Sequence, residues 1–418
     1  MGDRATFSDA STPDVVILKF GGTSVATASG RDAMRARIID TLDRGCAPVV
    51  VVSAMGRRPE PYATDSLLDL VAGLPSSPRE RAWLASIGED LSAIRIAHEL
   101  RSHDIPAVAI SGANAGLIAG GGYEDAAVTS VDPTPVRDLV AQGFVPVVCG
   151  FQAAGPDGQV ATLGRGGSDT TACILGAALA AERVEIYTDV DGVMTADPRS
   201  VDSASVIQVI RADELHQMAV MGSKVVHAPA AEVALGSGVP LVIRNTFTSH
   251  PGTRVVDAAT FTPETVATAV ASTTNVVRFV IDLGAECGSR EHLASQSAVF
   301  GAMADSGVSL DMFTPAGRSL LLTVNSAAAA KGEAVVRDLG LNFRLDHDLA
   351  KVTLVGAGMH GIPGVMAQVA RALDSVGADI YQIADSHTTI SVLVEAVVAD
   401  AAVMALHTAF ALGEPPKL

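Results

Sequence analysis

Between residue 15 and about residue 256, short apolar runs alternate with segments of helical periodicity. The segments 29–44 and 78–102 predict helices. The runs that predict buried strands include VVILKF, APVVVV, AVAIS, FVPVVCGF and RVEIYTDV. Strands that alternate with helices in this way form a mostly parallel sheet with helices on both faces. The alternation therefore predicts an α/β fold with an N-terminal αβα sandwich over residues 14–256.

Composition supports this class of fold. The chain has 418 residues, of which 48% are hydrophobic and only 4% aromatic, so aliphatic side chains must build the core. Such a composition favours strands that are buried on both faces. The length predicts two or three domains.

The charge and cysteine content exclude several classes of function. A net charge of −17 argues against a nucleic-acid partner and against an anionic membrane surface. The sequence shows no signal-peptide pattern, and no apolar run reaches the ~18 residues of a membrane span. The four cysteines are scattered without zinc-ligand spacing, and the ten histidines are dispersed. We therefore expect a cytoplasmic protein with reduced thiols and no metal site of its own.

The C-terminal part of the chain contains an internal repeat. The segment 299–313 resembles the segment 369–383, and each reads as a helix, a glycine and an alternating strand. A second strand follows each of them, SLLLTV and TISVLV, at the same offset of 70 residues. The shared offset predicts two copies of a βαββαβ unit after a boundary near 249–262. The alternative is chance similarity between two alanine-rich helices.

The motif KFGGTSV begins where the first strand ends. Open α/β sheets bind ligands at the carboxyl ends of their strands. Glycines allow backbone N–H groups to approach an anion, and Lys19 adds a full positive charge. The motif predicts a turn that binds a polyphosphate. The alternative is an ordinary strand–helix turn with a solvated lysine.

Three further motifs place polar residues near predicted strand ends. TLGRGGSDTTA contains Arg165, which can form paired hydrogen bonds with a carboxylate or phosphate, and Asp169, which is also a plain N-cap candidate. YTDVDGVMTADPR ends in Arg199, although turn chemistry alone explains its Asp-Gly and Asp-Pro pairs. In GSKVVHAP, Lys224 follows a small residue and carries no specific signal by itself.

Together with VVVSAMG and GED, these motifs occur in the order found in aspartokinases, and the chain resembles that family over about residues 15–415. SAMGRRPEPYATDSLL and ADSHTTISVLV resemble the diaminopimelate-sensitive class. The resemblance implies an amino-acid-kinase domain over 14–256, followed by two regulatory ACT domains of ferredoxin-like βαββαβ type. Their expected bounds are 263–345, which can borrow a C-terminal strand, and 346–418.

The resemblance also implies roles for individual residues. Lys19 would contact the transferred phosphoryl group, and Asp169 would organise Lys19 and Lys224. Glu89 would hold the α-ammonium group of the substrate, and Arg165 its α-carboxylate. Further substrate contacts are implied at Ser53 and Ser168, and nucleotide contacts at Gly21, Gly22, Ser24, Thr188, Asp189, Met194, Arg199 and Lys224.

The implied reaction is the phosphorylation of L-aspartate by ATP to 4-phospho-L-aspartate, the first step of lysine, threonine and methionine synthesis, and of diaminopimelate on the lysine branch. The β-carboxylate of aspartate has an ordinary pKa of about 3.9, so it is already a nucleophile at neutral pH and needs no general base. Mg²⁺ would be held mainly by ATP oxygens, because this ion keeps waters and uses few protein ligands.

For the ACT domains, the resemblance implies a homo-oligomer, since ACT domains pair edge to edge and thereby cover exposed strand edges. It also implies an amino-acid effector, with lysine, threonine, diaminopimelate or no effector all open. The implied effector-site residues are Ser309, Ile362, Asp379 and Asp385.

Two departures from the family pattern are present. The run His227-Ala228-Pro229-Ala230 follows Lys224 where the family usually has His-Pro or Ser-Pro, which puts a minor contact in doubt. Met194 stands where the family often has a tyrosine against the nucleotide, so base stacking is expected to be weaker.

Three other interpretations stay open at this point. VGAGMHG at 355–361 matches a dinucleotide-binding fingerprint, but too few residues follow Gly361 for a full Rossmann domain. A related acyl-phosphate-forming kinase for another amino acid, in a specialised pathway, would use the same motifs. A non-catalytic ACT amino-acid sensor would not need Lys19, Asp169 and Lys224.

Overall fold

The computed structural model describes residues 13–222, 228–257, 261, 265–359 and 361–413. The chain divides into two compact units. Unit 1 holds the described residues of Met1–Val193, Val206–Val220 and Lys224–Phe261, and unit 2 holds those of Met194–Ser205, Met221–Ser223 and Thr262–Leu418. Within the described ranges, no helix combines the length and the apolar character that a membrane span requires.

Unit 1 is built from strands and helices in alternation. Its strands are β1 Val15–Phe20, β2 Ala47–Val52, β3 Ala107–Ile110, β4 Leu117–Gly120, β5 Ala127–Val131, β6 Val145–Cys149, β7 Gln152–Ala154, β8 Val160–Thr162, β9 Arg183–Thr188, β10 Val209–Arg211, β11 Leu241–Asn245 and β12 Thr253–Val256. Its helices are α1 Gly22–Ala26, α2 Ala28–Asp43, α3 Thr64–Asp69, α4 Pro78–Arg101, α5 Thr134–Ala141, α6 Gly167–Leu179, α7 Ala212–Val220 and α8 Ala228–Ser237.

The main sheet of unit 1 has the strand order β10-β12-β11-β9-β1-β2-β6-β3. Each neighbouring pair is parallel except β11 with β12. The side chains of Val16 and Leu18 pack with α2 and α4 on one face, whereas Ile17 faces α6 on the other. The prediction of a mostly parallel sheet between two helical layers is confirmed.

A second, smaller sheet in unit 1 has the order β5-β4-β7-β8 and was not predicted from the sequence. Its strands are only three to five residues long, and β5 is largely exposed, so none of them forms a long apolar run. This sheet brings the segment that begins at Thr162 towards the start of α6.

The predicted turn at GGTSV is wrong, because these residues begin a helix at once. Helix α1 starts at Gly22, one residue after the first glycine. A β-carbon on Gly22 would lie 2.6 Å from the carbonyl oxygen of Ala54, so only glycine fits there. The Gly56 N–H donates to the carbonyl of Gly22 at 3.0 Å, which holds the segment after β2 against this helix start.

Unit 2 contains one antiparallel sheet with the order β14-β15-β13-β16-β18-β17. Its strands are β13 Ala269–Asp282, β14 Phe313–Ala316, β15 Ser319–Asn325, β16 Asn342–Val355, β17 Gln382–Asp385 and β18 Thr389–Glu395. Its helices are α9 Arg290–Asp305, α10 Ser326–Asp338, α11 Val365–Asp374 and α12 Ala399–Ala409, the last preceded by a 3-10 turn at Ala396–Val398.

The repeat predicted from the sequence is visible in this order of elements. Strands β15 and β18 begin at Ser319 and Thr389, 70 residues apart, and each is followed by a helix. The strands predicted directly after the two glycines begin later than expected, at Phe313 and Gln382. The long strands β13 and β16 run through both halves of the sheet, and the bounds proposed for two separate ACT domains stay a prediction.

Unit 2 also includes the segment 194–205, which we call the inserted segment and which the sequence did not assign to it. Ala196 and Val201 are buried in the same apolar core as α11 and α12. The carbonyl of Thr195 accepts from the N–H of Val270 at 2.8 Å, and its hydroxyl lies 2.9 Å from Nε2 of His407. The inserted segment is therefore part of the folded core of unit 2.

Candidate active site

A cleft of about 780 Å³ opens in unit 1 at the carboxyl ends of the parallel strands. The sequence predicted this position from the ends of β1 and β9. The residues that line it include Lys19, Gly21, Gly22, Thr23, Ser53, Arg57, Thr64, Glu89, Phe151, Arg165, Ser168, Asp169 and Thr188. Residues of five separate sequence motifs therefore meet in one cavity.

A buried ion pair forms the base of the cleft. Nζ of Lys19, on β1, lies 2.5 Å from Oδ1 of Asp169, in the first turn of α6, and the two side chains are only 11% and 5% exposed. Removing one partner of such a pair leaves an uncompensated buried charge, which is strongly unfavourable. Asp169 therefore holds the Lys19 ammonium in place through this contact.

The start of α6 explains the glycine-rich motif before Asp169. Gly166 has φ of +75°, in the left-handed region that favours glycine, and its carbonyl accepts from the N–H of Asp169 at 3.0 Å. This turn carries the exposed Arg165 to the cleft surface and buries Ser168 and Asp169 behind it. Within the described ranges, Arg165 makes no ion pair.

Glu89 places a buried carboxyl group in the cleft. It lies in the middle of α4, and its Oε1 accepts from the N–H of Ala54 at 3.0 Å. Its Oε2 is buried without a hydrogen-bond partner among the described residues. Burial raises the pKa of this carboxyl from its ordinary value of 4.5 to about 8. A ligand ammonium group would satisfy the free oxygen and stabilise the ionised form.

The raised pKa of Glu89 predicts how stability depends on pH. Without ligand, the buried carboxyl stays mostly protonated in the folded protein as the pH rises from 4.5 towards about 8, whereas the unfolded chain loses this proton. This group should therefore lower the free energy of unfolding by up to about 1.4 kcal/mol per pH unit in that window. Glu89→Gln keeps an acceptor for Ala54 and should remove the slope, as chemical denaturation from pH 5 to 8.5 would show. Parallel curves for the two proteins would contradict the raised pKa.

Only some of the nucleotide and phosphate residues expected from the sequence line the cleft. Gly21, Gly22 and Thr188 line it, and Asp189 follows directly after Thr188. Ser24 does not line it, because its hydroxyl is fully buried and lies 2.6 Å from Oγ1 of Thr246. The geometry of Ser24 therefore fits a role in fixing α1 rather than direct contact with a ligand.

Other predicted residues lie elsewhere in the chain. Met194 and Arg199 belong to the inserted segment of unit 2, where the guanidinium of Arg199 pairs with Asp197 and is 78% exposed. Lys224 and His227 lie outside the described residues. The residues expected to bind an effector are all exposed in unit 2: Ser309, Ile362, Asp379 and Asp385.

Several cleft residues were missed by the sequence analysis. Phe151 follows β6, and the rule that ligands bind at carboxyl ends of strands would have found it. Its φ of +69° is unusual for a bulky residue. Thr23 lies inside the recognised KFGGTSV motif. Arg57 and Thr64 lie in the polar stretch after β2, which has no periodic pattern that would single them out.

Comparisons with known proteins agree with this architecture. Residues 14–245 match the model of the amino acid kinase family, and residues 352–410 match an ACT domain model. The parallel sheet with its cleft, followed by the antiparallel ACT sheet, defines an amino acid kinase with a C-terminal ACT region.

The sequence relatives narrow this class further. Aspartokinase 1 of Bacillus subtilis (strain 168) is 38% identical over 409 residues, which cover 96% of this chain and 100% of the relative. The chain belongs to the aspartokinase family.

Solved structures of relatives share the fold. Aspartate kinase from Clostridium acetobutylicum superposes with a TM-score of 0.78 at 23% identity, covering 94% of this chain and 100% of the other. E. coli aspartokinase III, solved in complex with aspartate and ADP, superposes with a TM-score of 0.76 at 24% identity, covering 95% and 99%. At these identities the superpositions establish the fold.

Proposed function

We propose that this protein transfers the γ-phosphoryl group of ATP to the β-carboxylate of L-aspartate, giving ADP and 4-phospho-L-aspartate. The observation that carries the proposal is the grouping of charges in one cleft. The Lys19–Asp169 pair offers a fixed cation for phosphate, while the Glu89 carboxyl group and the Arg165 guanidinium can receive the two ends of an amino acid. The relatives' name and the aspartate and ADP bound by the E. coli neighbour support the same reaction.

For this reaction, the protein must position the two substrates and neutralise their negative charges. An oxygen of the ionised β-carboxylate attacks the γ-phosphorus, a new C–O–P linkage forms, and the bond to the ADP oxygen breaks. No proton is transferred, so no general base is required. The obstacle is the repulsion between a carboxylate and a polyphosphate, which cations and backbone N–H groups in a shielded cleft can offset.

The residues at the end of β1 would serve the phosphates. Lys19 donates to the transferred group, and the segment Gly21–Gly22 lets the nucleotide approach the backbone closely. Asp169 holds the Lys19 ammonium in place through the 2.5 Å contact. We assign Lys224 to the phosphates on the family resemblance alone, since it lies outside the described residues.

The substrate amino acid would lie between the buried Glu89 and the exposed Arg165. The free Oε2 of Glu89 accepts from the α-ammonium group, and Arg165 pairs with the α-carboxylate. Ser53 and Ser168 line the cleft beside them and can donate hydrogen bonds to the substrate. The remaining nucleotide contacts proposed are those of Thr188, Asp189, Met194 and Arg199.

The cleft fits a magnesium ion that enters with the nucleotide. Among the described residues, no group of three or more His, Cys, Asp or Glu side chains is arranged to hold a metal ion. Phosphate oxygens and water would therefore supply most of its ligands, as Mg²⁺ commonly prefers. When bound, the ion neutralises phosphate charge, and the chain's own residues align the two substrates.

Unit 2 would provide regulation and assembly. The two edge strands of its sheet, β14 and β17, expose Phe313 and Ile383 at 57% and 38%, and edges of this kind are suited to pairing with another copy. We propose a homo-oligomer formed through the ACT region, with lysine, threonine or diaminopimelate as the candidate effector. The exposed residues proposed for the effector are Ser309, Ile362, Asp379 and Asp385.

A hydroxylamine trap would test the proposed reaction. With ATP, Mg²⁺ and L-aspartate, the acyl phosphate product should be converted to aspartyl hydroxamate over many turnovers. Addition of lysine, threonine or diaminopimelate to the same assay would identify the effector. Product from another acidic amino acid but none from aspartate would indicate a different acyl-phosphate-forming kinase. No product from any acid would favour an amino-acid sensor.

A further inference from the structure

Arg57 is a cleft residue to which the reaction outlined above gives no role. It lies in the segment 53–63 after β2, which we call the β2 loop, and its side chain is 74% exposed. Its Nη2 lies 3.6 Å from Oδ2 of Asp189, in the segment that follows β9.

The strand order shows what Arg57 must cross to make this contact. β1 lies between β9 and β2 in the sheet, and its last residue, Phe20, is level with Tyr187 of β9 and Val52 of β2. A side chain that reaches from the β2 loop to Asp189 therefore passes over the carboxyl end of β1. The residues there are Gly21 and Gly22, the segment that we assign to the phosphates.

Backbone hydrogen bonds hold the β2 loop at this place. The N–H of Ser53 donates to the carbonyl of Phe20 at 3.2 Å, and the N–H of Gly56 donates to the carbonyl of Gly22 at 3.0 Å. Arg57 is thus joined directly to the residue that touches the glycine segment. The position of its backbone is fixed, while its long side chain remains exposed.

The contact with Asp189 is weak enough to be exchanged. At 3.6 Å, between side chains 74% and 43% exposed, such a pair contributes little to stability. Lys19, by contrast, is already paired with a buried aspartate at 2.5 Å. Among the described residues, the Arg57 guanidinium has only this weak contact with Asp189, so it could bind a polyphosphate that enters the cleft. A guanidinium can donate two parallel hydrogen bonds to phosphate oxygens.

We propose that Arg57 is a phosphate-binding residue that exchanges its contact with Asp189 for the terminal phosphate groups of the bound nucleotide. This inference rests on the proposed kinase function for the identity of the ligand. It concerns nucleotide binding, which can be measured without turnover.

Equilibrium binding of ATP, ADP and AMP to the full-length protein tests the inference. Arg57→Ala should weaken ATP binding by about ten- to a hundredfold, the range expected for lost charge-assisted hydrogen bonds. Binding of AMP, which lacks the terminal phosphates, should change by less than about threefold, since only exposed, weak contacts are lost. Millimolar guanidinium should partly restore ATP binding to Arg57→Ala.

Arg58→Ala is the matched control. Arg58 lies on the same loop and carries the same charge, but its guanidinium pairs with Asp69 of α3 at 2.5 Å. Arg58 also lines the cleft, so equal losses of ATP affinity in Arg57→Ala and Arg58→Ala would overturn the inference, because the effect would then not be specific to Arg57. Equal losses for ATP and AMP in Arg57→Ala would also overturn it. If the wild type gives no hydroxamate but Arg57→Ala weakens the binding of ATP and not that of AMP, the proposed reaction fails while the role of Arg57 stands.

Discussion

Replacement of Lys19 by methionine should lower kcat by about a thousandfold or more, with aspartate and ATP both saturating. The ammonium group is the buried cation of the cleft, and a preorganised charge aimed at a transferring phosphoryl group contributes an effect of that order. The measurement is the hydroxamate assay under multiple-turnover conditions. Turnover within tenfold of wild type would show that the phosphoryl group is bound elsewhere.

The buried pair requires a control for stability. Lys19→Met leaves Asp169 charged and unpaired, which should lower the free energy of unfolding by about 3–5 kcal/mol. The double variant Lys19→Met with Asp169→Asn removes both charges and should recover much of that stability without recovering activity. If activity returned together with stability, the role of Lys19 would be structural.

Charge reversal at Arg165 should impair the use of aspartate and leave the binding of ATP nearly unchanged. Arg165→Glu should lower kcat/KM for aspartate by about a thousandfold, because an attractive contact with the α-carboxylate becomes a repulsive one. ATP binding should change by less than about threefold, since the proposed phosphate residues are untouched. Steady-state kinetics and equilibrium nucleotide binding would measure the two effects separately.

Arg165 is exposed, so its replacement should leave the fold intact. Arg95→Glu serves as the matched control, because Arg95 is an exposed arginine of α4 that does not line the cleft, and its reversal changes the net charge equally. If both reversals lowered kcat/KM for aspartate equally, the effect would come from the net charge of the protein and not from a contact between Arg165 and the substrate. Equal loss of aspartate use and ATP binding in Arg165→Glu would argue against its role at the amino acid.

The parts of the fold that were predictable are those with long, regular patterns. The run VVILKF became β1, and the periodic segment 78–102 became α4, Pro78–Arg101. The small sheet was not predictable, because strands such as Gln152–Ala154 are too short to carry a period. GGTSV was misjudged as a turn because glycines disfavour helices locally, whereas Gly22 is required in this helix start because a side chain there would clash with the carbonyl of Ala54.

The candidate site also contains residues that the sequence indicated and others that it did not. Lys19, Arg165 and Asp169 lie in glycine-rich motifs at strand and helix ends, where the sequence itself suggests anion binding. The burial of Glu89 and its raised pKa could not be read from GED, because they depend on the packing of α4 beneath Ala54. The sequence did not single out Arg57 either. The role proposed for it depends on the strand order, which places the β2 loop beside the end of β1 and within reach of Asp189.

The inserted segment limits how the two parts of this protein could be recombined. Unit 2 takes Ala196 and Val201 into its apolar core, and Thr195 contacts His407, although these residues precede β10–β12 of unit 1 in the chain. A fragment cut near residue 262 would leave that core partly uncovered. Grafting the C-terminal region of a relative onto this chain would likewise match a foreign α12 with native residues 194–205. A successful chimaera should therefore exchange both stretches together.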